Sequence, residues 1–521
     1  MSPNFPSIFC VLFFATTLSA RDIVVKSAIE FKAALSAAAS GDVVLVESGT
    51  YSDIKIKFTR GGTATRPLTV RAKVPGEVIL NGASDCNFNF PHVVVDGLFF
   101  YKGTINPGEG EDNSVIRFSS QYGVLKNTAI VDYNPRDFKT SYYWIFFDGS
   151  NNTVERCYFK GKNNKQPLIG NAIEESRYNA VKFSYFKNIP YLVLNGREII
   201  RVWGSGKFDE KGKDGAYFTV EGNLFDRADG EGAEIISLKS NYNQVLNNTV
   251  IATAGCINIR RGSNNIVKGN VILGQGFKQA QGLRMSGANN TVVQNYVSGT
   301  EYGIRVSTGE FIGSALTPGY EPHVKDRAAN AKNSDGTVTS YPQVKKLMLA
   351  QNVIANVKSS CLEIGTNYKD NWPASQMILL PEDSDILNNR FITKDGGLAV
   401  EGSLPDGKTP MGGITAKPNR FKGNVILGEG KIRYKPAENG FKIEPLPSNW
   451  SEKKELSNFK VLTAQDVGPA WVMALRDAKK FPMEDDRSCY PADEGTKDKG
   501  SKDKSSKDSS KDKSEKTKKK K

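Results

Sequence analysis

The sequence predicts an all-β protein, a single-domain right-handed parallel β-helix, on three observations. One short phrase recurs along the chain: "NNTVERCYF" (151–159), "YFTVEGNLF" (217–225), "YNQVLNNTV" (242–250), "NNIVKGNVI" (264–272), "NNTVVQNYV" (289–297), "SDILNNRFI" (384–392) and "NRFKGNVIL" (419–427). In each, an inward apolar residue is followed three places on by Asn or a small residue, and then by further apolar residues. Taking Val154, Val181, Val220, Val245, Val267 and Val292 as equivalent gives steps of 27, 39, 25, 22 and 25 residues, and "YGVLKNTAI" (122–130) extends the series back by 30. Thirdly, β-branched residues, Gly and Asn turns and a scarcity of helix signals suit coils that stack on one another. A leucine-rich repeat shares the period but needs a leucine spacing that is absent, and a propeller blade needs about 40 to 45 residues.

Taken in order, residues 1–20, "MSPNFPSIFCVLFFATTLSA", hold an apolar stretch from Ile8 to Ala15 followed by small residues, the anatomy of a secretory signal cleaved near Ala20. A membrane span needs about 20 apolar residues and no segment offers them, so the chain is expected to be secreted. Residues 21–490 form the predicted coil domain, with "TAQDVGPAW" (463–471) finishing the folded part and the segment to about Pro491 serving as a cap. Residues 491–521 form a Lys-, Ser- and Asp-rich tail; from Gly495 on, twelve Lys against five acidic residues supply half of the formal net charge of +14. Such a segment has nothing to bury and is expected to be disordered, either a solvated tail or a loose tether to acidic polymer. A secreted chain without a recognisable binding motif is a poor partner for nucleic acid.

Cysteines at 10, 86, 157, 256, 361 and 489 show no CxxC and no regular spacing, so neither a zinc site nor a disulfide framework is indicated, and one or two bridges stay open. "NNT" at 151, 247 and 289 doubles as a glycosylation sequon, as does Asn449-Trp450-Ser451. For the three repeats the structural reading is preferred, because Asn at equivalent coil positions can bond to its neighbours above and below.

One strand is discordant. In "EIISLKS" (234–240), Lys239 stands between Leu238 and Ser240, where a β-branched or aromatic residue would sit more comfortably. Residues one coil apart lie on neighbouring strands about 4.8 Å away. Aligning "SLKS" (237–240) with "NIRR" (258–261) matches Ile236 with Ile257 and Leu238 with Ile259 as inward pairs, and places Lys239 on Arg260 facing out. "GLRM" (282–285) and "GIRV" (303–306) continue the pattern, with Leu283, Met285, Ile304 and Val306 inside and Arg284 and Arg305 outside. The expected column of Lys239, Arg260, Arg284 and Arg305 stacks like charges, which repel unless something anionic lies over them. A polyanion running along the helix axis answers that; the plainer reading is solvated residues whose carboxylate partners lie in the next column. A lysine beside an arginine is disfavoured as a cation, which lowers its pKa and makes it a usable general base. A base and cations above an acidic polysaccharide suit β-elimination: the proton alpha to a uronate carboxylate is removed while cations stabilise the enolate-like charge. Hydrolysis wants two opposed carboxylates instead.

At these residues the chain resembles the polysaccharide lyase family that contains chondroitinase B and many alginate lyases. The resemblance runs from "AAASGDVVLVESGTYSDIKIKFTRGGTATRPLTVRAKVPGEVILNG" (37–82) through "NNTVERCYFKGKNNKQPLI", "NGREIIRVWGS" and "DGEGAEIISLKS" to "NIRRG", the last three in order being the specific part. It implies that Lys239 is the Brønsted base and Arg260, 21 residues on, the acid. It also implies Ca²⁺ near the base, held by Asn195 of "NGRE" with Glu231 and Glu234, a hard oxygen set that suits this ion. The family spaces its two acids as E-x-E; "EGAE" carries one residue more, so a bulge at the strand start has to return Glu231 toward Glu234. Arg261 stands where the family usually has His and is expected to add a cation for the substrate, beside Arg284 and Arg305. His92 and His323 lie away from the column, so histidine catalysis is not expected. A polar insertion between Val306 and Leu347 either walls one end of the site or is a surface excursion.

The expected function is a secreted lyase of a uronate-containing polysaccharide, alginate first and chondroitin or dermatan sulfate second. The rival from another class is a non-catalytic wall protein that binds acidic glycans.

Overall fold

In the computed structural model the described residues are 20–106, 113–172, 175–192, 195–204, 214–311, 341–368, 376–394, 397–402 and 416–477. The expected signal (apart from Ala20), Cys10, Cys489, residues 312–340 of the insertion, the stretch from 478 to 490 and the tail 491–521 lie outside them.

Strands recur in threes, and most pair in parallel with the strand three places on, or four places on where a strand of a separate antiparallel pair intervenes. Among the described residues this builds sheets of 14, 13 and 14 strands, one on each face of a right-handed coil, plus a separate two-stranded antiparallel pair. The apolar series seen in the sequence is one inward column of the first sheet. Leu125, Val154, Val181, Val220, Val245, Val267, Val292, Leu349, Ile386 and Phe421 lie rung on rung. The step back from Val154 is 29 residues, to Leu125, not the 30 expected. From Leu125 to Leu349 these side chains are fully buried, each contributing about 1.5–3 kcal/mol of transfer free energy.

The asparagines of the repeat form a ladder inside the coil. Asn223, Asn248, Asn270, Asn295, Asn352, Asn389 and Asn424 each donate from Nδ2 to the Oδ1 of the next at 2.9–3.0 Å. A second, shorter ladder includes Asn243, Asn265 and Asn290. In each "NNT" the second Asn (152, 248, 290) is the buried one, while the first (151, 247, 289) turns the corner at φ of 61°, 53° and 55°. Asn tolerates this left-handed conformation better than most residues. The four described cysteines, Cys86, Cys157, Cys256 and Cys361, are buried free thiols.

A helix at Ala28–Ala37 lies at the N-terminal end and buries Phe31, Ala34 and Leu35; its N-cap Ser27 accepts from the Glu30 N–H, and Glu30 accepts from Lys26. Of the stretch expected as a cap, 472 to about Pro491, only residues 472–477 are described, and they continue a C-terminal segment that starts near Glu452. It runs back along the outer face of the third sheet. Glu455 pairs with Arg390 at 2.5 Å, Phe459 packs on Tyr296, Leu462 N–H donates to Thr249, Gly468 N–H to the Phe183 carbonyl, and Trp471 Nε1 to the Asn127 carbonyl. The reason is composition: Leu462, Val467 and Val472 bury against Phe99, Ala129, Val131, Tyr158, Tyr185 and Leu224, an apolar outer face that would otherwise meet water.

Candidate active site

The second sheet carries the discordant strand. Glu234–Lys239 lies between Ile200–Trp203 and Gly255–Arg261, followed by Ala280–Met285 and Ile304–Ser307. Ile236 meets Ile257 and Leu238 meets Ile259, as the alternation predicts, and Leu283, Met285, Ile304 and Val306 continue inside.

The expected outward column is corrected by a bulge. After Leu238 the register slips, and Lys239 stands opposite Arg261, not Arg260. Two residues face one at such a point, so Arg260 is left between rungs. Arg284 pairs with Asn258, which pairs with Ser237. Of the four cations, Arg284 and Arg305 thus share one column, Lys239 lies in another and Arg260 in neither. One runs Arg201, Ser237, Asn258, Arg284 and Arg305; the other, two residues along, runs Trp203, Lys239 and Arg261.

Nor is the cationic track bare. Lys239 Nζ donates to Glu198 Oε1 at 2.8 Å, Arg284 Nη2 to Glu234 Oε1 at 2.7 Å and Arg305 Nε to Glu363 Oε2 at 2.6 Å, with Arg260 Nε 3.8 Å from Glu234 Oε1. The carboxylate partners weighed as the plainer reading are thus present. Arg201, missed from sequence, donates to the Tyr143 hydroxyl at 2.6 Å and lies 3.8 Å from Glu198 Oε2. Trp203, also missed, puts its ring centre 5.0 Å from Lys239 Nζ and 4.7 Å from the Arg261 guanidinium carbon, a cation–π arrangement that offsets the repulsion between them. Asn171 fixes that strand by accepting from the Trp203 N–H at 2.8 Å and donating to its carbonyl at 2.9 Å. Burial first, then Arg260, lowers the Arg261 pKa to about 10. Tyr341, the residue that resumes the chain after 312–340, stacks on Arg260 at 3.9 Å, so the end of the insertion reaches the site.

Beside Lys239, one carboxylate oxygen each from Glu198, Glu231 and Glu234 lie within 4.8 Å of one another. The extra residue of "EGAE" is absorbed by the turn before the strand and a register shift after Glu234. Gly230 makes the turn possible: its φ is +56°, and a Cβ there would fall 2.4 Å from the Arg197 carbonyl oxygen. Glu231 Oε2 then accepts from the Gly196 and Arg197 N–H groups at 2.7 and 3.1 Å. The buried Arg197 side chain ties the surrounding loops by donating to the carbonyls of Asn164, Pro190, Gly230 and Lys162. Burial, then the charges of Glu198 and Glu234, push the Glu231 carboxyl up to about 7. Burial works the same way on Glu234, but Arg284 and Lys239 outweigh it and hold its pKa below the ordinary value. Glu198 Oε2 is buried without a hydrogen-bond donor. Three crowded hard-oxygen donors, one of them lacking a donor and one raised in pKa by its neighbours, fit a divalent cation such as Ca²⁺. Asn195 lies exposed three residues before Glu198. Glu198 was the ligand candidate overlooked; it stands at the end of the same "NGRE" that singled out Asn195.

The Chondroitinase B family model matches residues 25–307. Among solved structures, a PL6 family polysaccharide lyase from Pseudopedobacter saltans is 39% identical, with a TM-score of 0.75 over 86% of this chain and 99% of that one. A mannuronic acid specific polysaccharide family 6 lyase from human gut microbiota is 22% identical, with a TM-score of 0.70 over 88% and 98%. The alginate lyase AlyGC is 23% identical, with a TM-score of 0.69, covering 86% of this chain and 58% of that one. No curated protein matches the chain. More than half of the chain falls within one family model and nearly the whole length of a 39% identical relative is covered, so this protein belongs to the family of chondroitinase B and the PL6 lyases and is a polysaccharide lyase.

Proposed function

We propose that the protein is secreted and cleaves a uronate-containing polysaccharide, alginate first, by β-elimination, with Lys239 as base and Arg260 as acid. The observation that carries the reading is the placement of Lys239: a lysine with its head 15% exposed, flanked by Arg260, Arg261, Arg284 and Arg201, over a face where a polyanion can lie. Alginate is preferred to chondroitin or dermatan sulfate because several structural neighbours are described as alginate lyases, one in complex with a trisaccharide.

In this reading Lys239, after passing the proton of its ammonium to solvent, takes the proton alpha to the uronate carboxylate. The C–H electron pair becomes the new carbon–carbon double bond, and the glycosidic C–O bond at the next carbon breaks. The leaving oxygen receives its proton from Arg260, which regains one from solvent as Lys239 releases to solvent the one it took; no water is consumed. Arg261 and Arg284 hold the substrate and stabilise the enolate-like charge as it forms, with Arg305 further along the track. Glu198 orients the Lys239 head group, and Trp203 keeps Lys239 and Arg261 on one aromatic face. We propose Ca²⁺ at Glu231 and Glu234, joined by Glu198 and with Asn195 as the neutral ligand. When bound, the ion neutralises the substrate carboxylate and so acidifies the neighbouring C–H. The test is incubation with a panel of uronans, following the ultraviolet absorbance of the unsaturated uronate. Absorbance growth on none of them removes the reading; binding without turnover would favour the non-catalytic acidic-glycan binder.

A further inference from the structure

Past Arg305 the outward column of the second sheet changes sign. Glu363 stands opposite Arg305, and Glu401 opposite Glu363. On the other side, the rungs before Arg201 carry Gly170 and Phe146, without charge. That column carries charge at Arg201, Arg284 and Arg305, while the rungs of Ser237 and Asn258 take theirs from Lys239 and Arg261 in the neighbouring column, so cations mark five rungs, four spacings of about 4.8 Å or about 19 Å in all. At the end where the sign changes lies a cavity of about 280 Å³ lined by Arg284, Arg305, Glu363, Thr366 and Asn367.

The carboxylate at this boundary is held in place. Glu363 Oε2 accepts from Arg305 Nε at 2.6 Å, and Oε1 accepts from Ser360 Oγ at 2.7 Å and Ser359 Oγ at 3.1 Å. It is largely buried, at 11% exposure, and the next rung repeats its charge. A register shift opposite Ser307 brings Thr366 into the lining, and Asn367 follows at φ 65°.

We infer that this cavity is the last sugar subsite on its side of the scissile bond and that Glu363 is its electrostatic stop. The inference rests on the uronate-lyase reading and adds to it how far the substrate extends. Arg284 and Arg305 supply donors for one carboxylate or for ring hydroxyls. Glu363, Thr366 and Asn367 supply the hydroxyl-directed contacts that a single sugar unit can satisfy. A further uronate would bring its carboxylate against Glu363, whose charge repels it, and then Glu401, which the exposed Arg433 faces at 3.5 Å. Arg305 already donates to both Glu363 oxygens, from Nε at 2.6 Å and Nη2 at 3.4 Å, so this rung selects a sugar that ends the chain or presents hydroxyls over one that continues as polyanion.

The experiment is kcat/KM of the full-length protein on a size-graded series of oligouronates. In the wild type, kcat/KM stops rising with length once the cavity is filled. Glu363→Gln keeps an oxygen for Arg305 and turns an amide N–H₂ toward Ser360 Oγ, which can accept from it, but removes the charge. The ratio of kcat/KM between the longest and shortest substrates then rises about three- to fivefold, the upper end of what a solvent-screened charge contact is worth, mostly through KM. The same length profile in wild type and Glu363→Gln overturns the proposal. So does an equal loss at every length with a lowered melting temperature, which would make Glu363 a structural partner of Arg305 alone. Absence of unsaturated product from any oligomer with the wild type is a different failure: it removes the lyase reading of the site, and the subsite with it.

Discussion

Replacing Lys239 by Ala separates chemistry from architecture at this site. The side chain does two things: it is the proposed proton acceptor, and it neutralises Glu198, whose carboxylate is 2% exposed and only 2.8 Å away. Loss of a general base lowers turnover by about 10² to 10⁴. Loss of the ammonium also leaves Glu198 buried beside Glu231 and Glu234. An orphaned buried charge costs about 3–5 kcal/mol, and the retention of Arg201 at 3.8 Å brings the expected loss to about 2–3 kcal/mol. Denaturant midpoints measured in chelator, so that no divalent cation stands in for the ammonium, should show that loss. Adding Glu198→Gln to Lys239→Ala removes the orphan, so stability should largely return while turnover stays lost. Two results would refute the reasoning: a Lys239→Ala enzyme within about tenfold of wild-type turnover, or a double variant in which activity returns with stability.

Three further expectations follow from other parts of the molecule. If calcium is the neutraliser, chelator should suppress activity and added Ca²⁺ restore it; if Arg261 has that role, chelator should do little and Arg261→Ala should be nearly as damaging as Arg260→Ala. Asn270→Ala breaks the inner ladder on both sides, leaving the donors of Asn248 without Asn270 Oδ1. At about 1–3 kcal/mol for each buried group left unpaired, a loss of about 3 kcal/mol or more is expected in equilibrium denaturation. At the N-terminal edge, the hydrogen bond from Arg21 holds the Asp42 carboxyl at about 2, against 3.8 for the free group. A folded-state pKa below the unfolded one gives stability that is present above about pH 4 and lost as pH falls through about 2. Asp42→Asn should therefore flatten the acid limb of a stability–pH curve in that window, and an unchanged limb would contradict the assignment.

The coil was legible because its signal is local. Each rung repeats an inward apolar residue with Asn or a small residue three places later, so Val220, Val245, Val267 and Val292 pair by sequence alone, and the asparagines that follow them with them. The site was legible only where the alternation held. Ile236 and Leu238 found their partners, but one bulged residue moved Arg261 into the place assigned to Arg260. Nothing in "NIRR" distinguishes the two arginines, since the slip depends on the neighbouring strand. Carboxylate partners were hidden for a different reason. Glu198 serves Lys239 from 41 residues away and Glu363 serves Arg305 from 58, so the charge balance of the face appears only once the coils are stacked. The course of the C-terminal segment was not legible, because the apolar outer face of the third sheet that attracts it comes from side chains scattered between Phe99 and Leu427.

That returning segment changes how the molecule can come apart. A stack of coils is close to a one-dimensional array, in which each unit touches its neighbours and either end can fray alone. Here one ribbon of chain is riveted to the coil of Arg390 at its start and to the coils of Asn127 and Phe99 near its described end. Peeling the last coils away strips cover from the first ones, and loosening the first releases the anchor of the last. The two ends of a long spring are thereby made to report to each other, and the lysine and its carboxylates sit midway along the length that the ribbon clamps.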